Sequence, residues 1–203
     1  MRFWMAAAAS FFLTACSETP TETKAKAPEA PAAPITGRQA FQSTFPSARA
    51  WAPDCQPFRV RSMNLDQVKS GDGKAGAWEI TYVSDQKGRS RSFTWSAVEA
   101  EGNLHKGVFK GPEEAWGGAR GQERPFPPAA LKIDTPEALE AAVGKSADYL
   151  NRPGTRPPVS FLLEATARFP NPTWRVLWGT SVSSAEYSVF VDATTGMVVG
   201  IVR

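Results

Sequence analysis

The sequence has little of the side-chain chemistry from which metal centres and many catalytic sites are built. Its 203 residues include one histidine and two cysteines, which excludes any site made from several His or Cys ligands. The formal net charge of +3 is too small to indicate a protein that binds nucleic acid. The longest apolar run near the start covers residues 5–13. That run is much shorter than the about 20 residues that a membrane-spanning helix needs.

What the chain does contain is the composition of a globular protein. Hydrophobic residues make up 42% and charged residues 21%, which is ordinary for a folded domain and argues against disorder throughout. The length suits one substantial domain or two small ones.

The start of the chain has the pattern of an export signal. Arg2 precedes the apolar run at residues 5–13, as in a secretory signal peptide. The run ends in a sequence that resembles the bacterial lipobox, namely Leu13-Thr14-Ala15-Cys16. The alternative is an ordinary secretory signal that contains an incidental cysteine.

The lipobox resemblance implies a processing site and an anchor. It implies a signal peptide over residues 1–15, cleavage between Ala15 and Cys16, and acyl chains on Cys16, which would hold the protein on a membrane. Ser17 stands where an Asp would resemble the signal for retention in the inner membrane. We therefore expect an exported protein, anchored by lipid to a bacterial membrane and favouring the outer one. Its domain would lie in the periplasm or at the cell surface.

The segment that follows is rich in Pro, Ala, Thr and Glu and reads SETPTETKAKAPEAPAAPIT over residues 17–36. Such a stretch cannot bury enough apolar surface to offset its ordering entropy. Residues 16–36 are therefore predicted to be the lipidated Cys16 and a disordered linker.

Residues 129–203 are predicted to form one helix followed by an antiparallel sheet. Asp134 is a capping residue, Pro136 lies in the first turn, and apolar residues continue at helical spacing to Leu150. Alternating apolar residues then predict strands over 159–169, 174–178, 187–191 and 197–202. Such a sheet must bury its apolar face against the helix.

Residues 37–118 repeat this order less regularly. A short helix is predicted to end at Pro46, and strands are predicted over 58–65, 76–84, 90–98 and near 104–109. Trp78 and Trp174 occupy corresponding positions. Between the halves, the Gly- and Pro-rich residues 117–128 indicate a loop or domain joint. The sequence thus predicts an α+β fold of two tandem units, 37–118 and 129–203, and leaves open whether their sheets join.

The end of the chain resembles a PepSY domain. The residues that carry this resemblance are Trp174-Arg-Val-Leu-Trp178 and Tyr187-Ser-Val-Phe-Val-Asp192-Ala-Thr-Thr-Gly196. The first unit lacks the Asp-Ala-x-Thr-Gly turn. The resemblance implies PepSY- or cystatin-like units and a non-catalytic module, with a proposed role in restraining peptidases. Independently of the family, Asp192, Thr195 and Gly196 suit a tight turn, because Asp accepts from nearby amides and Gly tolerates positive φ.

Catalytic chemistry has few candidate residues. A nucleophilic site would have to use His105, with Cys55 as its partner, and no Gly-x-Ser-x-Gly elbow occurs. A surface role for His105 and a buried structural role for Cys55 are favoured. We expect no enzyme, no catalytic residue, no metal ligand and no cofactor; a small thiol- or His-dependent hydrolase is the alternative.

Tryptophans are expected mainly in the core, because each buries a large apolar area. Trp51 and Trp116, flanked by Pro or Gly, are predicted to be the exposed ones. The predicted function is to bind or regulate another envelope protein through a strand edge or loop. The lipid anchor is expected to contact the membrane, and no nucleic acid is expected as a partner. A purely structural envelope lipoprotein is a further alternative.

Overall fold

Both halves of the chain contribute strands to one antiparallel sheet. The computed structural model describes residues 32–102, 104–153 and 157–202. The first half contains a short strand, a long helix and five further strands: β1 (Ile35–Thr36), α1 (Gly37–Trp51), β2 (Gln56–Met63), β3 (Lys74–Ala75), β4 (Ala77–Ser84), β5 (Arg89–Ser96) and β6 (Gly107–Ala115).

The second half repeats the order of one helical region followed by four strands. Its elements are β7 (Glu123–Arg124), a 3₁₀ turn (Pro128–Ala130), α2 (Thr135–Gly144), α3 (Ala147–Leu150), β8 (Val159–Thr166), β9 (Thr173–Trp178), β10 (Tyr187–Asp192) and β11 (Val198–Val202). The predicted α+β class is confirmed.

The two halves meet at their first long strands. The order across the sheet is β11-β10-β9-β8-β2-β4-β5-β6, so β2 and β8 lie side by side in the middle. Their antiparallel pairing places Val60 opposite Leu163. The question that the sequence left open is thus answered: the strands of the two halves form a continuous sheet. From Ala32 onward the described chain is one compact unit.

The helices cover one face of this sheet, and the core lies between the two layers. Because side chains alternate along a strand, the apolar half of each strand points to the helices. The largest fully buried side chains include two tryptophans, a tyrosine and two phenylalanines: Trp78, Trp174, Tyr82, Phe93 and Phe126. α1 contributes Ala40, Phe41, Ala48 and Trp51 to the same core.

Trp78 and Trp174 are equivalent in their contacts as well as in the sequence. The indole Nε1 of Trp78 donates to the carbonyl of Ile35 at 2.9 Å, and that of Trp174 donates to the carbonyl of Ile133 at 2.9 Å. Each isoleucine comes two residues before the first residue of α1 or α2. The two rings meet edge to face with centroids 6.5 Å apart.

Gly37 lies at the point where these rings converge. A Cβ at this position would come within 2.7 Å of the Trp174 ring and 3.2 Å of the Trp78 ring, which is closer than side-chain packing permits. The absence of a side chain therefore lets α1 begin between the two tryptophans.

The prediction that a helix would end at Pro46 is wrong. α1 continues through Pro46 to Trp51, although an internal proline removes a backbone hydrogen bond and costs about 3 kcal/mol relative to Ala. Two features offset this cost. Thr36 and Gln39 form a capping box, and the buried face that ends in Trp51 packs into the core.

Other boundaries also differ from the predictions. Ile35 and Thr36 belong to β1, which pairs with β3, so ordered structure begins before the predicted end of the linker. β6 extends to Ala115, beyond the predicted 104–109, because an edge strand exposed to solvent need not alternate. Residues 117–128 contain β7, which pairs with β8. Ala15, Cys16 and the rest of the predicted signal lie outside the described residues.

Candidate binding surface on the open face of the sheet

The face of the sheet opposite the helices is open, and the polar half of each strand points to it. On β4, for example, Trp78, Ile80 and Tyr82 are buried in the core, so Glu79 and Thr81 alternate to the other side. All of the residues discussed next as a surface lie on this open face or on the loops beside it.

A groove of about 900 Å³ lies over β2, β4, β5 and β6. We call it the main groove and define it by the residues that line its floor and walls: Phe58, Thr81, Ser92, Thr94, His105, Phe109 and Trp116. A depression of this size is comparable to the clefts in which proteins bind ligands.

The floor of the main groove is rich in hydroxyl groups. Thr81 Oγ1 and Ser92 Oγ lie 2.9 Å apart across β4 and β5. Thr94 Oγ1 is buried and has no hydrogen-bond partner among the described residues. Because a buried hydroxyl is normally paired, the Thr94 hydroxyl is an unsatisfied polar group beneath the groove floor.

Two aromatic pairs flank this floor. Phe58 packs against Trp116 edge to face with centroids 5.1 Å apart, and His105 lies 4.4 Å from Phe109. The Trp116 indole donates to Asp85 at 2.8 Å, which fixes the ring. Rigid aromatic side chains of this kind supply contact area at low entropic cost.

An ion-pair network lies beside the main groove, where β2 meets β8. Arg59 bridges two carboxylates, with 2.6 Å from its Nε to Glu164 and 2.8 Å from its Nη2 to Glu123. On the next open-face position, Arg61 holds Glu79 with both Nε and Nη2, at 3.1 and 3.0 Å. These carboxylates are therefore already neutralised by arginines of the same face.

Burial raises the pKa of Glu164, and the Arg59 guanidinium offsets only part of that shift. The hydrogen bond and the charges of Glu164 and Glu123 raise the pKa of Arg59 despite its own burial. The ion pair is partly desolvated, which is a costly arrangement unless both partners are present.

Two smaller depressions continue from the main groove across the sheet. One of about 630 Å³ is lined by Arg59, Glu164, Arg175 and the 180–183 loop, and one of about 220 Å³ is lined by Glu164, Arg175 and Phe190. Arg59 lines both the main groove and the depression of about 630 Å³, and Glu164 lines both of the smaller depressions. The three depressions therefore form a row from β6 towards β11.

The two edges of the sheet differ in their exposed side chains. β6 carries Lys110, Pro112 and two glutamates, all of which discourage pairing with a further strand. β11 has no charged residue or proline, and it exposes Val199, Ile201 and Val202. The strand edge at which the sequence predicted an interaction is therefore best represented by β11.

The residues proposed for a hydrolase are not brought together. Cys55 is 3% exposed and belongs to the core on the helix side, where burial raises the pKa of its thiol. His105 borders the main groove on the opposite face and lies 3.4 Å from Glu99. The pairing of Cys55 with His105 is therefore wrong.

Asp192, Thr195 and Gly196 form a tight turn between β10 and β11. Asp192 Oδ1 accepts from the amides of Thr194 and Thr195 at 2.8 and 2.9 Å, and Gly196 has φ of 78°. Asn171 donates to the other carboxylate oxygen at 2.9 Å. This geometry accounts for the residue types of the turn without a ligand.

Two tryptophan predictions differ from the structure, and the open face itself was missed. Trp51 is 9% exposed and packs on Phe93, so its predicted exposure is wrong, whereas Trp116 is half-buried in the groove wall. The apolar alternation of a strand identifies only its buried half and therefore does not indicate the main groove. The signal for the groove lies in the complementary polar positions, such as Thr81, Ser92 and Thr94.

Two further searches of the described residues give negative results. They hold no cluster of three or more His, Cys, Asp or Glu side chains placed to bind a metal ion. Within the same part of the chain, every helix is too short or too polar to cross a bilayer.

Comparisons with known proteins give one structural likeness. No protein-family model matches the chain, and no curated protein matches it. The chain is similar to the crystal structure of a proposed lipoprotein from Clostridium difficile 630, with 11% identity over 80% of this chain and 91% of the other, and a TM-score of 0.47. A likeness at this level carries no argument about this chain.

Proposed function

We propose that this chain is a non-catalytic, lipid-anchored protein of the bacterial cell envelope that binds another envelope protein through the open face of its sheet. The observation that carries the proposal is the row of three depressions on that face, together with the aromatic walls of the main groove. Surfaces that combine aromatic anchors with polar groups are typical of binding sites.

The anchor and the kind of partner rest on the sequence. The segment that ends at Cys16 supports cleavage and acylation, and the linker would hold the domain away from the membrane surface. The resemblance of 174–199 to a PepSY domain supports a partner that is a peptidase, restrained by the contact. Ser17, which stands where an Asp would resemble the signal for retention in the inner membrane, supports placement in the outer membrane.

Site-specific photocrosslinking tests the binding surface. A photoreactive benzoylphenylalanine replaces Phe109, which is 38% exposed beside the main groove, or Val143, which is 43% exposed on α2. We expect a discrete adduct with an envelope protein from position 109 and none from position 143. Equal labelling from both positions, or none from 109, would contradict the proposal and favour a purely structural lipoprotein.

The anchor is tested separately. Mass spectrometry of the amino-terminal peptide from the natural chain should show Cys16 as the first residue, with acyl chains attached. A Cys16→Ser variant should leave the membrane fraction for the soluble one, provided that the signal is still removed. An unmodified amino terminus at Met1 would overturn the anchor without affecting the binding surface.

A further inference from the structure

Two arginines converge on one phenylalanine ring at the β11 end of the open face. The guanidinium carbon of Arg168 lies 5.2 Å from the centroid of Phe190, and that of Arg175 lies 5.3 Å from it. Arg168 is also 5.0 Å from the Phe169 ring. We call these four residues, Arg168, Phe169, Arg175 and Phe190, the cation–aromatic cluster.

The backbone fixes the cluster. Arg175 on β9 and Phe190 on β10 are directly paired, and Phe190 is paired on its other side with Gly200. A Cβ on Gly200 would lie 3.4 Å from Phe169 and 3.5 Å from Phe190. Gly200 thus lies in van der Waals range of both rings, and the turn that carries Arg168 and Phe169 packs on this part of the sheet.

The two arginines have no carboxylate of their own among the described residues. Every described salt bridge to Glu164 and Glu123 is made by Arg59. Arg175 donates through Nε to Ser188 Oγ at 3.1 Å, and its other N–H groups have no described acceptor. The described contacts of the Arg168 guanidinium include the Phe169 and Phe190 rings but no hydrogen bond or ion pair. Aromatic faces stabilise an exposed cation only weakly and do not neutralise two like charges.

A depression of about 220 Å³ separates these donors, and its other polar lining residues are Gln122, Glu164, Thr166 and Thr173. Thr173 Oγ1 already donates to the carbonyl of Asn171 at 3.0 Å. The charge of Glu164 is held by Arg59. The remaining donors that line the depression are thus the two guanidiniums, the amide of Gln122 and the hydroxyl of Thr166.

We propose that the cation–aromatic cluster binds a phosphate group. A carboxylate is satisfied by a single arginine in a bidentate pair, whereas a phosphate offers three acceptor oxygens and up to two charges, which two arginines can share. The volume admits a phosphate with a few attached atoms. The phosphate could belong to a soluble ester or to a lipid headgroup, and the site requires neither the anchor nor the protein partner proposed above.

Calorimetric titration of the full chain at constant ionic strength tests the site, with inorganic phosphate as the probe and acetate as its comparison. We expect saturable phosphate binding that R168Q and R175Q each weaken at least tenfold, because each variant removes hydrogen bonds to a charged group. R61Q is the matched control, since Arg61 lies on the same face but is committed to Glu79.

The outcomes separate the alternatives. Equal affinity in the wild type, R168Q and R175Q would overturn the proposal, as would equal weakening by R61Q or tighter binding of acetate. R175Q removes a partly buried side chain, so its fold is checked by circular dichroism. R168Q alters an exposed residue and keeps the test valid if R175Q misfolds.

A vesicle experiment identifies the source of the phosphate. Full-length Cys16→Ser protein is sedimented with phosphatidylcholine vesicles that do or do not contain phosphatidic acid. Binding that depends on phosphatidic acid and is lost in R168Q supports a lipid headgroup as the source. Binding of inorganic phosphate without any dependence on phosphatidic acid supports a soluble ester.

Discussion

Thr36 Oγ1 donates a 2.6 Å hydrogen bond to Asp134 Oδ2, so the residues that cap the two main helices bind each other across the core. The other oxygen of Asp134 accepts from the amides of Arg38 at 2.9 Å and Thr135 at 2.7 Å. One carboxylate thus satisfies amides at the start of both α1 and α2, which couples the helix layer of the first half to that of the second.

Removing this carboxylate should destabilise the whole unit. We expect D134A to lower the free energy of unfolding by about 2–4 kcal/mol, because it removes a helix cap and leaves buried donors unpaired. Urea denaturation of the full chain measures the change. E140A, which alters an exposed residue of the same helix, should change stability by less than about 0.5 kcal/mol. Similar values for the two variants would contradict the shared cap.

Replacing the internal proline of α1 should have the opposite effect. Pro46 is exposed and lies within a helix that continues for five more residues. P46A restores a backbone donor and improves helix propensity, while it gives the unfolded chain more freedom. We expect a net stabilisation of about 1–2 kcal/mol by thermal denaturation. A loss of stability would show that Pro46 makes a contact that outweighs its cost.

These two positions show what the sequence could and could not predict. Asp134 was identified as a cap from its neighbours Thr135 and Pro136, because capping is a local property. The error at Pro46 arose because packing of Phe41 and Trp51 against the sheet is a tertiary effect that no local rule contains. For the same reason the alternating strands were found, while the pairing of Val60 with Leu163 was not predicted. The main groove exists only once β2, β4, β5 and β6 are neighbours.

Stability should depend on pH through Asp192. Burial alone would raise the pKa of this carboxyl, but hydrogen bonds from Asn171 and from the amides of Thr194 and Thr195 outweigh it, so the folded pKa lies below the ordinary value of 3.8. The unfolded state therefore binds more protons in this range. The contribution of Asp192 is present above the unfolded pKa and is lost as the pH falls through the folded one.

Comparison of the wild type with D192N isolates this contribution. In urea unfolding, the free energy of unfolding of the wild type should exceed that of D192N at pH 6, and the difference should be smaller at pH 3. Protonation at the lower pH removes the charge on Asp192 that the variant already lacks. Other carboxylates titrate equally in both proteins and cancel. A stability difference that is the same at both pH values would rule out the role of the Asp192 charge.

Cys55 should behave as a structural thiol. Because it is 3% exposed and burial raises its pKa, little thiolate is available for reaction near neutral pH. In full-length Cys16→Ser protein, we expect slow alkylation by iodoacetamide in buffer and rapid alkylation in urea. A C55S variant should retain the photocrosslink from position 109, because Cys55 lies in the core and not in the main groove. Loss of the crosslink, with the fold intact, would contradict a purely structural thiol.

The unprotected edge at β11 should promote contact with further strands. Ile201 is 39% exposed on an uncharged strand, so I201K adds the kind of charge that β6 already carries. Analytical ultracentrifugation at increasing concentration should show less self-association for I201K than for the wild type. The matched variant V108K, on the charged edge β6, should sediment like the wild type. Identical behaviour of all three proteins would contradict this role for β11.

The central pairing of β2 with β8 also determines when the chain can fold. About a hundred residues separate the two strands, and contacts over such distances are formed slowly because a long loop must close first. Until β8 has been synthesised, β2 has one unpaired side and the Trp78 ring lacks its partner Trp174. A nascent chain that contains only the first half therefore lacks the central pairing on which the finished sheet depends.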